Sequence, residues 1–158
     1  MSTDTDITFK MLLVDDEQDL ATAFSDYLTH RGVINDVCFN PLEALEKIKT
    51  ENYLMILSDI SMPHLTGLEL LKEVRKLGND VPFVFLTGFS DEAKVKEALR
   101  MGATDFLDKP CNLNTMYEVV CRVMEIGRRQ ERIKNSGSAE QASKDLSMIQ
   151  KLRLKGLS

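Results

Sequence analysis

Acidic, hydroxyl and cationic residues follow several short apolar runs of this chain. Asp15 and Asp16 follow the run KMLLV, Asp59 comes two residues after YLMIL, Thr87 follows PFVFL, and Lys109 comes shortly after a fifth run. Carboxylates held close together repel one another, and a hard divalent cation such as Mg²⁺ relieves that repulsion while keeping waters for phosphoryl oxygens. A carboxylate nucleophile, Mg²⁺, a hydroxyl and a lysine are the groups that phosphoryl transfer onto an aspartate requires.

Apolar strands alternate with amphipathic helices along the chain. The predicted strands are Lys10–Val14, Val33–Phe39, Tyr53–Leu57, Pro82–Leu86 and Thr104–Leu107. The predicted helices are Glu17–His30, one from the cap Asn40 to Thr50, one opened by a capping box at Thr66, one capped by Ser90 and running to Arg100, and one capped by Asn112 and running at least to Met124. Five strand–helix repeats predict an α/β fold, a doubly wound five-stranded parallel sheet, for which the order 2-1-3-4-5 is common.

The predicted sheet brings the polar residues together. Ligands of open α/β sheets bind beyond the carboxyl ends of the strands, where the strand order reverses. Strands one and three are neighbours in the order 2-1-3-4-5, so we expect Asp15, Asp16 and Asp59 to meet in one small pocket. Thr87 and Lys109 should reach the same pocket from strands four and five.

Charge is unevenly distributed along the 158 residues, whose formal net charge is −5. Residues 128–158 contain eight Lys and Arg against three Asp and Glu, whereas residues 1–127 contain twelve against twenty-two. A nucleic-acid-binding domain would carry a basic face on the folded domain itself. We therefore expect an acidic domain followed by a basic extension, and no direct binding to DNA.

Cysteine content and hydropathy limit the cellular setting. The three cysteines, Cys38, Cys111 and Cys121, are odd in number and form no CxxC pair, which favours a reducing cytoplasm over a disulfide framework. The apolar runs are far shorter than the roughly 18 residues of a membrane span. The N-terminus MSTDTDITFK is acidic and polar, unlike a signal peptide. We expect a cytoplasmic protein with no membrane association.

These residues resemble a known family. The pair Asp15-Asp16, Asp59, Thr87 and the dipeptide Lys109-Pro110, together with a Met-Pro loop that follows Asp59, are similar to the receiver domain of bacterial two-component response regulators, in particular to stand-alone, chemotaxis-regulator-like members. Each motif alone is common, but all of them in order, each after the appropriate strand, form a specific signature. The resemblance covers about residues 8–127 and implies the flavodoxin-like receiver fold.

The resemblance implies a phosphoacceptor site with a bound Mg²⁺. Asp59 would be the phosphoacceptor, attacking a phosphohistidine to become an aspartyl phosphate. Asp16 and Asp59 would be direct Mg²⁺ ligands, the backbone carbonyl of Ser61 would be the third protein ligand, and Asp15 would act largely through water.

A switch is also implied. Lys109 would pair first with the Asp59 carboxylate and then with the phosphoryl group, and the Lys109–Pro110 peptide bond would be cis. Thr87 would move to bind a phosphoryl oxygen, and Phe106 would turn inward in response. Phe106 stands where the family often has tyrosine, so a switch role and an ordinary core role for this ring remain open.

The partners implied are a sensor histidine kinase or a histidine phosphotransfer protein as donor, and a downstream protein whose identity the sequence does not give. Output would pass through the face formed by the fourth helix, fifth strand and fifth helix, and a second copy of the chain is among the expected partners. The protein would be a signalling switch that accepts and hydrolyses a phosphoryl group, not an enzyme.

About 30 residues follow the domain, which are few for a DNA-binding output domain. Residues 128–158 are interpreted as a linker, Asn135–Ala139, and a short helix, Ser143–Leu154.

Three other classes fit less well. A phosphohydrolase resembling the haloacid dehalogenases would place its nucleophile after the first strand and would carry a cap domain. A flavodoxin-like electron carrier would need a Ser/Thr/Gly-rich phosphate loop where Asp15-Asp16-Glu17 stands. A P-loop nucleotidase would need the motif GxxxxGK[ST], which is absent from the sequence.

Overall fold

The computed structural model describes residues 9–136 of the chain. Ten elements alternate in the predicted way. The strands are β1 (Met11–Val14), β2 (Asn35–Cys38), β3 (Met55–Asp59), β4 (Phe83–Thr87) and β5 (Asp105–Asp108). The helices are α1 (Gln18–His30), α2 (Pro41–Thr50), α3 (Gly67–Lys76), α4 (Glu92–Arg100) and α5 (Leu113–Ser136).

The five strands form one parallel sheet in the order β2-β1-β3-β4-β5, which confirms the predicted fold class and topology. Alternate side chains of the central strands enter two different cores. Leu12 and Val14 pack on the side of α2, α3 and α4, whereas Met11 and Leu13 pack on the side of α1 and α5. Because both faces are covered, the central strands β1, β3 and β4 are apolar up to their carboxyl ends, as buried parallel strands usually are.

Three helix starts follow the predicted capping chemistry. At the start of α5, the Asn112 side chain accepts hydrogen bonds from the amides of Asn114 and Thr115. Asn40 accepts a hydrogen bond from the amide of Leu42, and Thr66 and Glu69 form a reciprocal capping box at the start of α3. The expectation for α4 was wrong. That helix begins at Glu92 after Asp91, not after Ser90, and the Asp91 side chain does not cap it but bonds to Ser61 and to the Gly88 amide.

Several predicted strand limits were wrong by one or two residues. The pairing of β3 with β1 starts at Met55 opposite Met11, so Tyr53 and Leu54 are buried but precede the strand. At the other end of β3 the ladder extends to Asp59. β2 pairs with β1 over four residues only, and Val33 and Phe39 lie outside it. Burial of an apolar run therefore does not fix where the backbone ladder begins or ends.

The chain divides into two compact units, residues 1–127 and residues 128–158. In the first unit, Gly127 lies against the backbone of Leu54, where a Cβ atom would collide with the Leu54 carbonyl. In the second unit, the described residues, 128–136, are the helical end of α5. The predicted linker was wrong at its start, because Asn135 and Ser136 are helical. The predicted helix Ser143–Leu154 lies outside the described residues. Within residues 9–136, no helix combines the length and apolar character needed to cross a membrane.

Candidate functional site

The carboxyl ends of four neighbouring strands carry the residues predicted to do chemistry. Asp15 directly follows β1, Asp59 is the last residue of β3, Thr87 is the last residue of β4, and Lys109 directly follows β5. The parallel register aligns these ends, since Asp59 lies opposite Leu86 and Thr87 lies opposite Asp108. The strand order thus brings residues that are far apart in sequence to one edge of the sheet.

Three carboxylates meet at this edge. Asp15, Glu17 and Asp59 each offer an oxygen, and these oxygens lie within 4.8 Å of one another, an arrangement able to hold a metal ion. Asp15 and Asp59 are buried and Glu17 is exposed. Asp16, predicted from the sequence as a metal ligand, is exposed and lies outside this group.

Sequence reasoning missed Glu17 as a site residue. A turn after β1 places it there, because the Glu17 amide donates a hydrogen bond of 2.9 Å to Oδ1 of Asp15. A backbone amide that donates a hydrogen bond to the side chain of an aspartate two residues earlier forms an Asx-turn, which is a common local structure. The Asp-Asp-Glu sequence is compatible with such a turn, but the sequence alone does not say whether Asp16 or Glu17 joins the carboxylate cluster.

Lys109 supplies the positive charge of the site. Its Nζ lies 2.7 Å from Oδ2 of Asp59, 3.2 Å from Oε1 of Glu17 and 4.0 Å from Oδ2 of Asp15. Burial alone would lower the pKa of Lys109, but the hydrogen bond with Asp59 and the surrounding carboxylates raise it above its ordinary value. Lys109 therefore stays charged. The peptide bond between Lys109 and Pro110 is cis, as predicted.

Asp15 is the least satisfied group of the site. Its side chain is fully buried, and Oδ2 has no hydrogen-bond partner among the described residues. Burial raises the pKa of Asp15 to about 6, against the lowering effects of the Glu17 amide and Lys109. One lysine therefore does not compensate three carboxylates. An oxygen-only donor set with an unpaired buried carboxylate oxygen fits a hard divalent cation such as Mg²⁺.

Thr87 and Phe106 were the predicted switch residues. Thr87 is buried, and its hydroxyl donates a hydrogen bond of 3.3 Å to Oδ1 of Asp108. Phe106 is half-buried and stacks on Phe85, with 6.1 Å between ring centroids. The Phe89 side chain, two residues after Thr87, is fully exposed.

Ser61, predicted from the sequence as a site residue, also belongs to a second polar group whose other members, Asp91 and Lys94, the sequence did not reveal. The Ser61 amide donates a 3.1 Å hydrogen bond to Oδ1 of Asp59. The Ser61 hydroxyl donates to Oδ1 of Asp91 at 2.8 Å and accepts from Nζ of Lys94 at 2.6 Å. Burial would raise the pKa of Asp91, but hydrogen bonds from the Gly88 amide and Ser61 hold it below its ordinary value. This carboxylate is thus fully compensated, unlike Asp15.

Comparison with known proteins agrees with this geometry. Residues 11–121 match the family model of the response regulator receiver domain. The match covers most of the chain and includes all four strand ends described above, so the chain belongs to the response regulator receiver domain family. The domain is a receiver of two-component signalling systems.

Individual relatives show the same relationship. The chain is 40% identical over 120 residues to a transcriptional regulatory protein, a CpxR homolog of Haemophilus influenzae, covering 76% of this chain and 51% of that protein. It is 31% identical over 137 residues to the response regulator SaeR of Staphylococcus epidermidis, covering 85% and 57%. The chain thus spans about half the length of the curated relatives it matches.

Solved structures give a closer match in length. The chain superimposes on the chemotaxis protein CheY4 of Vibrio cholerae with a TM-score of 0.69 and 32% identity, covering 74% of this chain and 99% of that chain. The receiver domain of the Francisella response regulator 1452 gives a TM-score of 0.68 and 32% identity, covering 78% and 99%.

Proposed function

We propose that Asp59 is the phosphoacceptor of this receiver domain. The observation that carries the proposal is the 2.7 Å contact between Lys109 and the buried Asp59 carboxylate, within the cluster that Asp15 and Glu17 complete. A carboxylate held at the end of a strand by one lysine and one backbone amide keeps a fixed orientation toward an incoming phosphorus atom. Such positioning and charge compensation are what catalysis of phosphoryl transfer mainly requires.

The transfer moves one phosphoryl group from a phosphohistidine of a sensor kinase or a histidine phosphotransfer protein to Asp59. A carboxylate oxygen forms the new P–O bond as the P–N bond of the donor breaks, and the donor imidazole keeps the electron pair. Lys109 pairs with the Asp59 carboxylate before the transfer and with the phosphoryl group after it. Hydrolysis of the aspartyl phosphate returns Asp59 to its free form and inorganic phosphate to water.

The acidic cluster supports a Mg²⁺ site. Mg²⁺ would supply compensation for the charge on the phosphoryl oxygens. We propose Asp16, Asp59 and the Ser61 carbonyl as protein ligands, with Asp15 acting through water. The unpaired oxygen of buried Asp15 supports a cation beside it. Glu17, which the structure adds to the cluster, is the alternative to Asp16 as a carboxylate ligand.

The proposed switch uses residues on β4 and β5. Thr87 would exchange its bond with Asp108 for a bond with a phosphoryl oxygen, and Phe106 would respond by moving further inward. The stacking of Phe106 on Phe85, whose strand ends at Thr87, supports such coupling. A downstream protein would read the change on the face formed by α4, β5 and α5, and a homodimer is part of the same proposal.

The remaining assignments concern the chain as a whole. We propose residues 8–127 as the receiver domain and residues 128–158 as a basic extension, a division that the two compact units support. The free thiols of Cys38, Cys111 and Cys121 support a reducing cytoplasm as the location. We propose that the chain acts as a switch on other proteins without binding DNA directly.

Phosphorylation by a small donor tests the proposed function. Incubation with Mg²⁺ and acetyl phosphate should add one phosphoryl group, seen as a mass increase by intact-protein mass spectrometry and located on Asp59 by peptide mapping. Asp59→Asn should abolish the increase, because an amide is a poor nucleophile. Asp19→Asn, which changes an exposed carboxylate of α1, is the matched control and should be phosphorylated normally. Undiminished phosphorylation of Asp59→Asn would place the nucleophile elsewhere.

A further inference from the structure

Ser61, Asp91 and Lys94 form a polar bridge between two loops and a helix. Ser61 lies just after β3, Asp91 lies just before α4, and Lys94 is in the first turns of α4. The Ser61 hydroxyl contacts both partners, Asp91 at 2.8 Å and Lys94 at 2.6 Å. Lys94 also lies 3.7 Å from Oδ1 of Asp91, so the three side chains close a triangle.

The bridge reaches the phosphoacceptor through the backbone of Ser61. The Ser61 amide donates to Oδ1 of Asp59, while Lys109 donates to Oδ2 of the same carboxylate. The two oxygens of Asp59 are therefore held by two different groups. Lys109 acts directly on one of them, whereas α4 acts on the other through Ser61.

The bridge also reaches the loop that follows Thr87. Oδ2 of Asp91 accepts a hydrogen bond of 2.7 Å from the amide of Gly88. The Asp91 side chain is only 8% exposed, so removing a partner would leave a poorly solvated charge. Such a group holds its surroundings firmly, because a lost hydrogen bond to a buried charge is costly. Asp91 thus ties both strand-end loops to the start of α4.

We propose that Asp91 and Lys94 are positioning residues that act through Ser61, so that the state of the Asp59 site and the state of α4 are coupled. The inference rests on the proposed function of Asp59. Coupling between two sites is reciprocal. A cation or phosphoryl group at the carboxylates should change α4, and a partner that binds Lys94 on α4 should change the affinity of the carboxylates for Mg²⁺.

Two measurements on Ser61→Ala and Lys94→Gln test the bridge. The first is the rate of phosphorylation by acetyl phosphate as a function of Mg²⁺ concentration. Loosening Ser61 should raise the half-saturating Mg²⁺ concentration by about fivefold or more, with a much smaller change in rate at saturating Mg²⁺. The double variant should be no worse than Ser61→Ala alone, because Ser61→Ala already removes the contact between Ser61 and Lys94.

The second measurement is hydrogen exchange of α4, residues 92–100, with Mg²⁺ alone and with Mg²⁺ and acetyl phosphate. The wild-type chain should show a ligand-dependent change there, and both variants should lose most of it. Lys96→Gln, an exposed lysine on the same helix, is the matched control and should behave as wild type.

The outcomes separate the bridge from the proposed function. If the wild-type chain is not phosphorylated at Asp59, both proposals fail. If it is phosphorylated normally and the two variants only lower the melting temperature, with unchanged Mg²⁺ dependence and an unchanged response of α4, the bridge is merely structural and this inference alone is overturned.

Discussion

Two acidic clusters lie at opposite ends of β1 and differ in how their charges are compensated. At the amino end, Lys10 pairs with Asp36 at 3.0 Å and with Glu51, and the Tyr53 hydroxyl donates to Asp36 at 2.7 Å. At the carboxyl end, Lys109 is shared among three carboxylates, and one oxygen of Asp15 has no partner among the described residues.

The pKa values of the aspartates at the two ends, Asp36 and Asp15, are shifted in opposite directions. Burial would raise the pKa of Asp36, but hydrogen bonds from Tyr53 and Lys10 lower it below its ordinary value. Burial raises the pKa of Asp15 to about 6, and its partners do not reverse that effect. Ionised Asp36 at the amino end therefore stabilises the folded state, whereas ionised Asp15 at the carboxyl end destabilises it. A buried carboxylate with a raised pKa is typical of a functional site, and here the neighbouring carboxylates favour a bound cation.

The largest expected effect is a gain in stability on removing the Asp15 charge. The folded-state pKa of Asp15 lies above its ordinary value of 3.8, so wild-type stability should fall as the pH rises from about 4 to about 6. In Mg²⁺-free buffer, Asp15→Asn should be more stable than wild type by up to about 3 kcal/mol at pH 7, with the difference vanishing below about pH 4. Urea unfolding at several pH values measures it.

The control for this prediction is Asp19→Asn, which changes an exposed carboxylate of the same acidic segment. Its unfolding free energy should follow that of wild type at every pH. A difference between Asp15→Asn and wild type that does not depend on pH would show that the Asp15 carboxylate is compensated in solution.

The second effect is stabilisation by Mg²⁺, which should act on the carboxyl end alone. A ligand that binds only the folded state at 100 times its Kd stabilises by about 2.7 kcal/mol. The melting temperature of the wild-type chain should therefore rise with Mg²⁺ concentration, and Asp16→Asn should reduce that response. A response that survives Asp16→Asn but is lost in Glu17→Gln would instead assign the carboxylate ligand to Glu17. A melting temperature that ignores Mg²⁺ altogether would contradict the site.

The sequence predicted those residues of the site whose position follows from the carboxyl end of a strand. Short apolar runs mark the strands, the topology rule orders them, and Asp15, Asp59, Thr87 and Lys109 then follow at the correct edge. These are consequences of local pattern and of a small set of allowed connections. Errors of one or two residues in strand limits did not move any of these residues to another edge.

The sequence failed where side chains choose between local and distant partners. Ser90 was a plausible cap for α4, but Asp91 precedes that helix and bonds to Ser61 and Gly88. Gly127 lies within α5, and its close approach to the Leu54 backbone, which a side chain would block, could not be predicted from the sequence. Such contacts depend on the assembled sheet and have no local signature.

The smallest expected effect tests the amino end of β1. Lys10→Met removes the cation shared by Asp36 and Glu51, and because these groups are partly buried we expect a loss of about 1–2 kcal/mol at pH 7. The lowered pKa of Asp36 means that its favourable pairing is present above the ordinary pKa and is lost as the pH falls through the folded-state value, so the penalty should shrink in acid, opposite in sign to Asp15.

Lys49→Met is the matched control, since it breaks a solvent-exposed pair with Glu46 at 2.9 Å and should change the unfolding free energy by less than about 0.5 kcal/mol. Neither substitution should alter the Mg²⁺ response, because both lysines lie away from the carboxylates of the site. Chemical denaturation between pH 3 and pH 7, with and without Mg²⁺, measures all of these quantities. If Lys10→Met shifts the Mg²⁺ response as strongly as Asp15→Asn, the two ends of β1 are coupled, and the division into a stabilising end and a binding end is wrong.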